Sequence, residues 1–166
     1  MIKAVLIGPP GSGKTTVGRL LAERLGVAFR DTDADVEAVA GKPVSDIFID
    51  DGEEHFRELE LEAVRKALAE HDGVLSLGGG AVLREETQAL LDGLPVVYLQ
   101  VGLADAVQRV GLGSARPLLV LNPRSQLRKL MEERRPVYER LAALTVVTDK
   151  REPAELADEI VKGLGR

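Results

Sequence analysis

Near the start of the chain, Gly8-Pro9-Pro10-Gly11-Ser12-Gly13-Lys14-Thr15 sets glycines, a lysine and a hydroxyl at the spacing G-x-x-x-x-G-K-[ST]. Glycines there let backbone N–H groups converge on phosphate oxygens, and a helix N-terminus immediately after adds positive potential. Lys14 would then reach the β- and γ-phosphates of a nucleoside triphosphate, and the Thr15 hydroxyl a Mg²⁺ ion. The competing reading is a Gly/Pro turn with an incidental lysine. The flanking sequence decides against it, because the motif lies between a predicted strand and a predicted helix.

Three further groups could serve a phosphoryl acceptor. Asp31-Thr32-Asp33 falls at the predicted carboxyl end of a strand, where open α/β sheets place ligands. One carboxylate there can hold Mg²⁺ through water while the other binds a hydroxyl or takes its proton; taken alone, such a pair is more often a helix N-cap beside a solvated carboxylate. Arg57 and Glu60 are three apart in a segment of helical composition that starts near Asp50, Asp51 or Gly52. They therefore share a face, either as a carboxylate-binding guanidinium oriented by Glu60 or as an exposed ion pair. Gly78-Gly79-Gly80 follows a predicted strand and allows backbone to approach a ligand and donate N–H groups, or simply makes a tight turn.

The elements that must position these groups alternate. Lys3 to Ile7 reads as a strand, and Val17, Leu20, Leu21 and Leu25 as the apolar stripe of a helix closed by Gly26. Apolar runs recur at Val74 to Leu77, Val96 to Val101 and Leu144 to Thr148, with Ala28 to Arg30 as one more short strand. Ala104 to Val110 and Ala154 to Leu164 are helical in composition. Such alternation predicts an α/β fold with a parallel sheet covered by helices on both faces. Two segments interrupt it: the mostly helical Asp33 to Glu70, expected to form a substrate-holding lobe, and the Gly/Pro-containing Gly111 to Asn122, expected to form a lid.

Composition removes other chemistries. With no Cys and only two His in 166 residues, disulfides, thiolate zinc sites, iron–sulfur clusters and Cys nucleophiles are excluded. The net charge is −5, yet residues 109 to 151 hold ten Lys/Arg against four Asp/Glu. Single arginines spaced among Leu, Val and Pro suit a small anionic ligand better than nucleic acid, although a solvated basic helix has the same composition. Aromatic residues make up 3% of the chain, which disfavours base-stacking platforms. No apolar run approaches the length of a membrane span, and no targeting segment is expected.

The set as a whole resembles the shikimate kinases over nearly the full length. The resemblance rests on the phosphate loop, Asp31-Thr32-Asp33, Ile47-Phe48, Gly52-Glu53, Phe56-Arg57-Glu58-Leu59-Glu60, Leu77-Gly78-Gly79-Gly80, Arg116-Pro117-Leu118-Leu119 and Arg134-Arg135-Pro136-Val137-Tyr138, in that order. It implies a three-layer α/β/α phosphate-loop kinase fold with a central parallel sheet of about five strands. One domain would span 1–166, with a substrate-binding region at about 33–70 and a lid at about 111–123.

The implied activity is phosphorylation of the shikimate 3-hydroxyl by ATP with Mg²⁺, in the chorismate route to aromatic amino acids. The resemblance implies that Gly11, Ser12, Gly13, Lys14, Thr15 and Thr16 hold the nucleotide phosphates and that Thr15 and Asp31 serve the metal. Asp33 would be the base, with Lys14 and Arg116 offsetting transition-state charge. Arg57, Arg134, Glu60, Gly78, Gly79 and Gly80 would bind shikimate, and Arg109 and Arg151 would flank the nucleotide base. Val147 departs from the Asp that several relatives carry there, so base selectivity stays open. A monomeric cytoplasmic enzyme, with neither nucleic acid nor membrane as partner, completes the expectation. A gluconate kinase, another small-molecule kinase, a nucleoside monophosphate kinase or a non-catalytic ATP-binding regulatory module are the alternatives.

Overall fold

The computed structural model describes residues 1–110 and 123–165. Strand β1 (Ala4–Ile7) leads through the glycine loop into helix α1 (Lys14–Leu25), and β2 (Phe29–Asp31) follows. Three helices come next, α2 (Thr32–Ala40), α3 (Val44–Asp51) and α4 (Glu53–Glu70). Then come β3 (Val74–Ser76), a 3₁₀ turn at Ala81–Leu83, α5 (Glu85–Leu91), β4 (Val96–Gln100) and α6 (Leu103–Val110). Helix α7 (Pro123–Leu141), β5 (Leu144–Val147) and α8 (Pro153–Gly163) complete the described chain.

The five strands are all parallel, in the order β2-β3-β1-β4-β5. The chain therefore leaves β1 toward β2, in the opposite direction to the later crossovers from β2 to β3, β3 to β4 and β4 to β5. Right-handed crossovers running in opposite directions place their helices on opposite faces. Accordingly α1 and α8 cover one face and α4, α5 and α7 the other. Alternation along β1 shows the division: Ala4 and Leu6 pack with Val17, Leu21 and Ile160, while Val5 and Ile7 pack with Val64, Leu91 and Tyr138. The three central strands β1, β3 and β4 are buried on both faces, which is why they read as continuous apolar runs, whereas the edge strands β2 and β5 are only partly covered.

The expected strands and helices form, with ends that differ by about one residue. Leu77 and Thr148 lie just past β3 and β5, yet their N–H groups still donate to Leu6 and Gln100 carbonyls at 3.1 and 2.8 Å. The segment expected to be mostly helical, Asp33 to Glu70, is the three helices α2, α3 and α4, with a small core of their own around Val36, Ile47 and Phe56. Phe48 and Phe56 meet there with ring centroids 4.8 Å apart. Gly41 and Gly52 break the helical run, each with positive φ. The segment expected to form a lid lies outside the described residues, apart from Pro123 at the start of α7.

Helix α1 approaches the sheet closely at Gly18. A Cβ there would run into the Phe29 ring and come within 3.0 Å of Leu6 Cδ1. Valine is a slightly better helix former than glycine, yet overpacking costs about 1–3 kcal/mol. Gly18→Val is therefore expected to lower unfolding free energy by about 2 kcal/mol in urea denaturation at unchanged slope; equal or greater stability would contradict this packing.

Candidate active site

The carboxyl ends of β1, β2 and β3 open on one cavity of about 350 Å³, whose lining includes Gly11, Lys14, Thr15 and Thr16 on one side and Asp31, Asp33, Gly78 and Gly79 on the other. On the first side, Gly13 is the N-cap of α1 in the left-handed region (φ 91°, ψ 20°), a conformation that few side chains permit. The backbone N–H groups at the start of α1 consequently sit beside the loop. Lys14 folds back over it, Nζ donating to the carbonyls of Gly8 at 2.8 Å and Pro9 at 3.1 Å. Ser12 is fully buried within the loop, its Oγ without a hydrogen-bond partner among the described residues.

On the second side, Asp31 ends β2 in extended conformation and caps α2, its Oδ1 accepting from Asp33 N–H at 2.9 Å. The N-cap reading of this pair thus holds, and Asp33 lines the cavity as well. Burial pushes the Asp31 carboxyl above its ordinary range, opposed by the Asp33 N–H and by Lys14.

Gly78 lies against two carboxylates. A Cβ on it would stand 2.7 Å from Asp33 Oδ1 and 2.8 Å from Glu60 Oε2. Glu60 is 2% exposed and accepts from Arg57 Nη1 at 2.7 Å. The i,i+3 ion pair is therefore present, but buried at the site instead of lying exposed on a helix. Burial raises the Glu60 carboxyl, and Arg57 opposes the rise. A Cβ on Gly80 would enter the Arg57 guanidinium, and one on Gly79 would stand 3.3 Å from Arg134 Nη1. Arg134, on α7, is 5% exposed, and its Nε is buried with no hydrogen-bond partner among the described residues. Two guanidiniums from α4 and α7 thus converge on the glycine turn after β3.

Arg109, at the end of α6, bridges the loop to β5: its guanidinium donates to the carbonyl of Gly11 at 3.1 Å and to Oγ1 and the carbonyl of Thr148, both at 3.2 Å. Arg151 is not brought to the cavity lining. It donates to the Val147 carbonyl at 3.0 Å and pairs with Glu159 of α8 at 2.7 Å, so the two arginines grip neighbouring residues from different directions. The turn after β5 is pinned by Asp149, which accepts from Gly102 N–H at 2.7 Å, and by Asp105, which accepts from Lys150 N–H at 3.1 Å. Arg116 lies outside the described residues. Sequence reasoning gave no role to Thr148 or Tyr138. Thr148 carries no local signal, whereas Tyr138 stands four residues after Arg134 and so shares its helix face.

A phosphate loop at the end of β1 faces two carboxylates across one cavity, and two guanidiniums lie against the glycine turn that borders it; in a three-layer α/β/α fold this defines the class: a phosphate-loop kinase of small molecules. Comparison with known proteins narrows it. The shikimate kinase family model matches residues 10–165. The chain is 65% identical to a shikimate kinase of Salinispora arenicola, covering 94% of this chain and 93% of that one, and 62% identical to one of Thermobifida fusca, covering 97% and 94%. A shikimate kinase from Acinetobacter baumannii, solved in complex with shikimate, superposes with a TM-score of 0.92 at 37% identity, covering 96% of this chain and 90% of that one. The chain belongs to the shikimate kinase family.

The raised Asp31 carboxyl has a consequence for stability. A group whose pKa rises on folding favours the folded state most when protonated, so its contribution is complete below the ordinary carboxylate value and is lost as pH climbs through the raised one. Asparagine keeps an oxygen for the cap and carries no charge. Asp31→Asn is therefore expected to gain stability relative to the parent as pH rises from about 4, measured as the difference in urea midpoints across pH. A difference independent of pH would contradict the assignment of the shift to Asp31.

Proposed function

We propose that the protein transfers the γ-phosphoryl group of ATP to the 3-hydroxyl of shikimate, releasing ADP and shikimate 3-phosphate on the chorismate route to aromatic amino acids. The observation that carries the proposal is the meeting of Arg57, Glu60, Asp33 and Arg134 around Gly78–Gly80, at the edge of the cavity that Lys14 lines. Two guanidiniums suit a carboxylate, and buried carboxylates suit hydroxyls. A polyhydroxylated small acid requires both.

In this reading Arg57 and Arg134 hold the shikimate carboxylate, Arg57 being oriented by Glu60, while Gly79 and Gly80 bring backbone close to the ligand. Asp33 accepts the proton of the attacking hydroxyl as its oxygen bonds to the γ-phosphorus and the bond to the bridging oxygen breaks. Lys14, which holds loop carbonyls in this structure, offsets charge on the transferring phosphoryl group and on departing ADP. Backbone N–H groups of Gly11, Ser12, Gly13, Thr15 and Thr16 bind the phosphates at the head of α1.

Thr15 and Asp31 line one cavity, and Asp31 is a half-buried carboxylate facing Lys14, which fits a cation held by one hydroxyl and, through water, one carboxylate. Mg²⁺ bound there would neutralise the β- and γ-phosphates. Arg109, which ties the loop to Thr148, flanks the nucleotide base; Arg151 joins it only if released from Glu159. Arg116 is assigned beside Lys14 by the family resemblance alone.

The proposal extends to one kinase domain over 1–166, with α2 to α4 as the substrate-binding region and residues 111–123 as a lid. Its remaining parts are a monomeric state, a cytoplasmic location, and no nucleic acid or membrane partner. Among the described residues no helix is long and apolar enough to cross a membrane.

ADP release from Mg-ATP with shikimate, gluconate, a panel of nucleoside monophosphates and no acceptor tests the function. Release is expected with shikimate alone. Stimulation by another acceptor would overturn the pocket assignment, and acceptor-independent turnover would favour a regulatory ATPase. In the same assay Lys14→Met is expected to lower kcat at least about a hundredfold, and near-normal turnover would remove Lys14 from the mechanism.

A further inference from the structure

Tyr138 is 1% exposed, among the largest fully buried side chains of the protein, yet it keeps a hydroxyl. That hydroxyl donates to the Gly79 carbonyl at 2.6 Å, and the ring stacks on Tyr98 of β4 with centroids 5.0 Å apart. Burial pushes the phenol up to about 12, so it remains a donor throughout the working pH range. Arg134 stands one turn earlier on the same helix face and reaches the same glycine. Between them Pro136 supplies no N–H to the helix ladder, which makes side-chain anchors on this stretch of α7 more important.

The Gly79 carbonyl belongs to the peptide that carries the Gly80 N–H. This peptide is trans, so the two groups point in opposite directions. With glycine on both sides, little in the local backbone prevents the plane from rotating, which would exchange a donor for an acceptor. The Gly80 N–H donates to no backbone carbonyl among the described residues. We propose that Tyr138 is a positioning residue for the phosphoryl acceptor: by holding the Gly79 carbonyl it aims the Gly80 N–H at the acceptor pocket and ties the glycine turn to the helix that presents Arg134. The inference rests on the proposed placement of shikimate between Arg57, Arg134 and the glycine turn.

Tyr138→Phe keeps the ring and its stack on Tyr98 and removes only the hydroxyl. The expected result is a rise in the shikimate KM of roughly fivefold or more, with the ATP KM within about twofold and kcat changed less than the shikimate KM. A packing role alone would lower the thermal midpoint and leave the shikimate KM unmoved, and that outcome overturns the proposal. Arg134→Ala, measured beside it, separates the two levels. A large rise in the shikimate KM there with none in Tyr138→Phe rejects the positioning role only, whereas no rise in Arg134→Ala rejects the pocket assignment and the positioning role with it. Should Tyr138→Phe fold poorly, glycine-selective ¹⁵N labelling of the parent supplies the readout. The Gly80 amide resonance is expected to shift on addition of shikimate with Mg-ADP, and an unresponsive Gly80 amide overturns the proposal.

Discussion

The close approach of α4 and α7 to the chain leaving β3 is the constraint on which the site depends. For three consecutive residues that chain has no side chains, and the space goes to Asp33 and Glu60 at Gly78, to Arg134 at Gly79 and to Arg57 at Gly80. Any Cβ at Gly78 or Gly80 would have to displace a charged group. The parallel pairing of β3 with β1 then sets this turn beside the phosphate loop, because Leu6 pairs with Ser76 and both strands end at the same edge of the sheet. The proposed donor and acceptor sites are thus neighbours by register, with no separate device needed to bring them together.

Electrostatics follows from the same crowding. Taking Glu60 and Asp31 out of water raises their carboxyl groups, and each is brought back toward ionisation by a cation of the site, Arg57 for the first and Lys14 for the second. The ion pair between Arg57 and Glu60 is unlike the exposed pairs at Arg65–Glu62 or Lys129–Glu133. Buried and hydrogen-bonded, it fixes a guanidinium at the glycine turn, where the exposed pairs contribute little. The cost of holding charge there is consistent with a binding role, since a packed apolar core would serve stability at least as well.

The face of α7 that meets the sheet combines both themes. Arg134 carries charge to the glycine turn, and Tyr138 carries a neutral hydrogen bond and a stacked ring to the same place. Arg109 does comparable work at the other end of the cavity, joining Gly11 of the loop to Thr148 after β5. In each case a side chain from outside the loop stabilises backbone geometry that glycines alone leave soft.

Much of this was legible in the residues. The alternation of apolar runs with helical segments determined a parallel sheet between helices, since strands buried on both faces must be apolar throughout. The spacing from Gly8 to Thr15 determined the phosphate loop, because only glycines at those positions let backbone amides converge. Arg57 and Glu60 were placed on one helix face by their three-residue separation. That they form a buried pair was decided by the packing of α4 under the turn after β3, which no local pattern encodes. The same holds for Tyr138 on Gly79 and Arg109 on Thr148, each of which joins residues far apart in the chain, whereas Arg151 pairs with the nearby Glu155 and Glu159 of α8. Sequence periodicity reports which face a residue occupies; which residue it meets there depends on strand order, crossover direction and the absence of side chains where two elements touch.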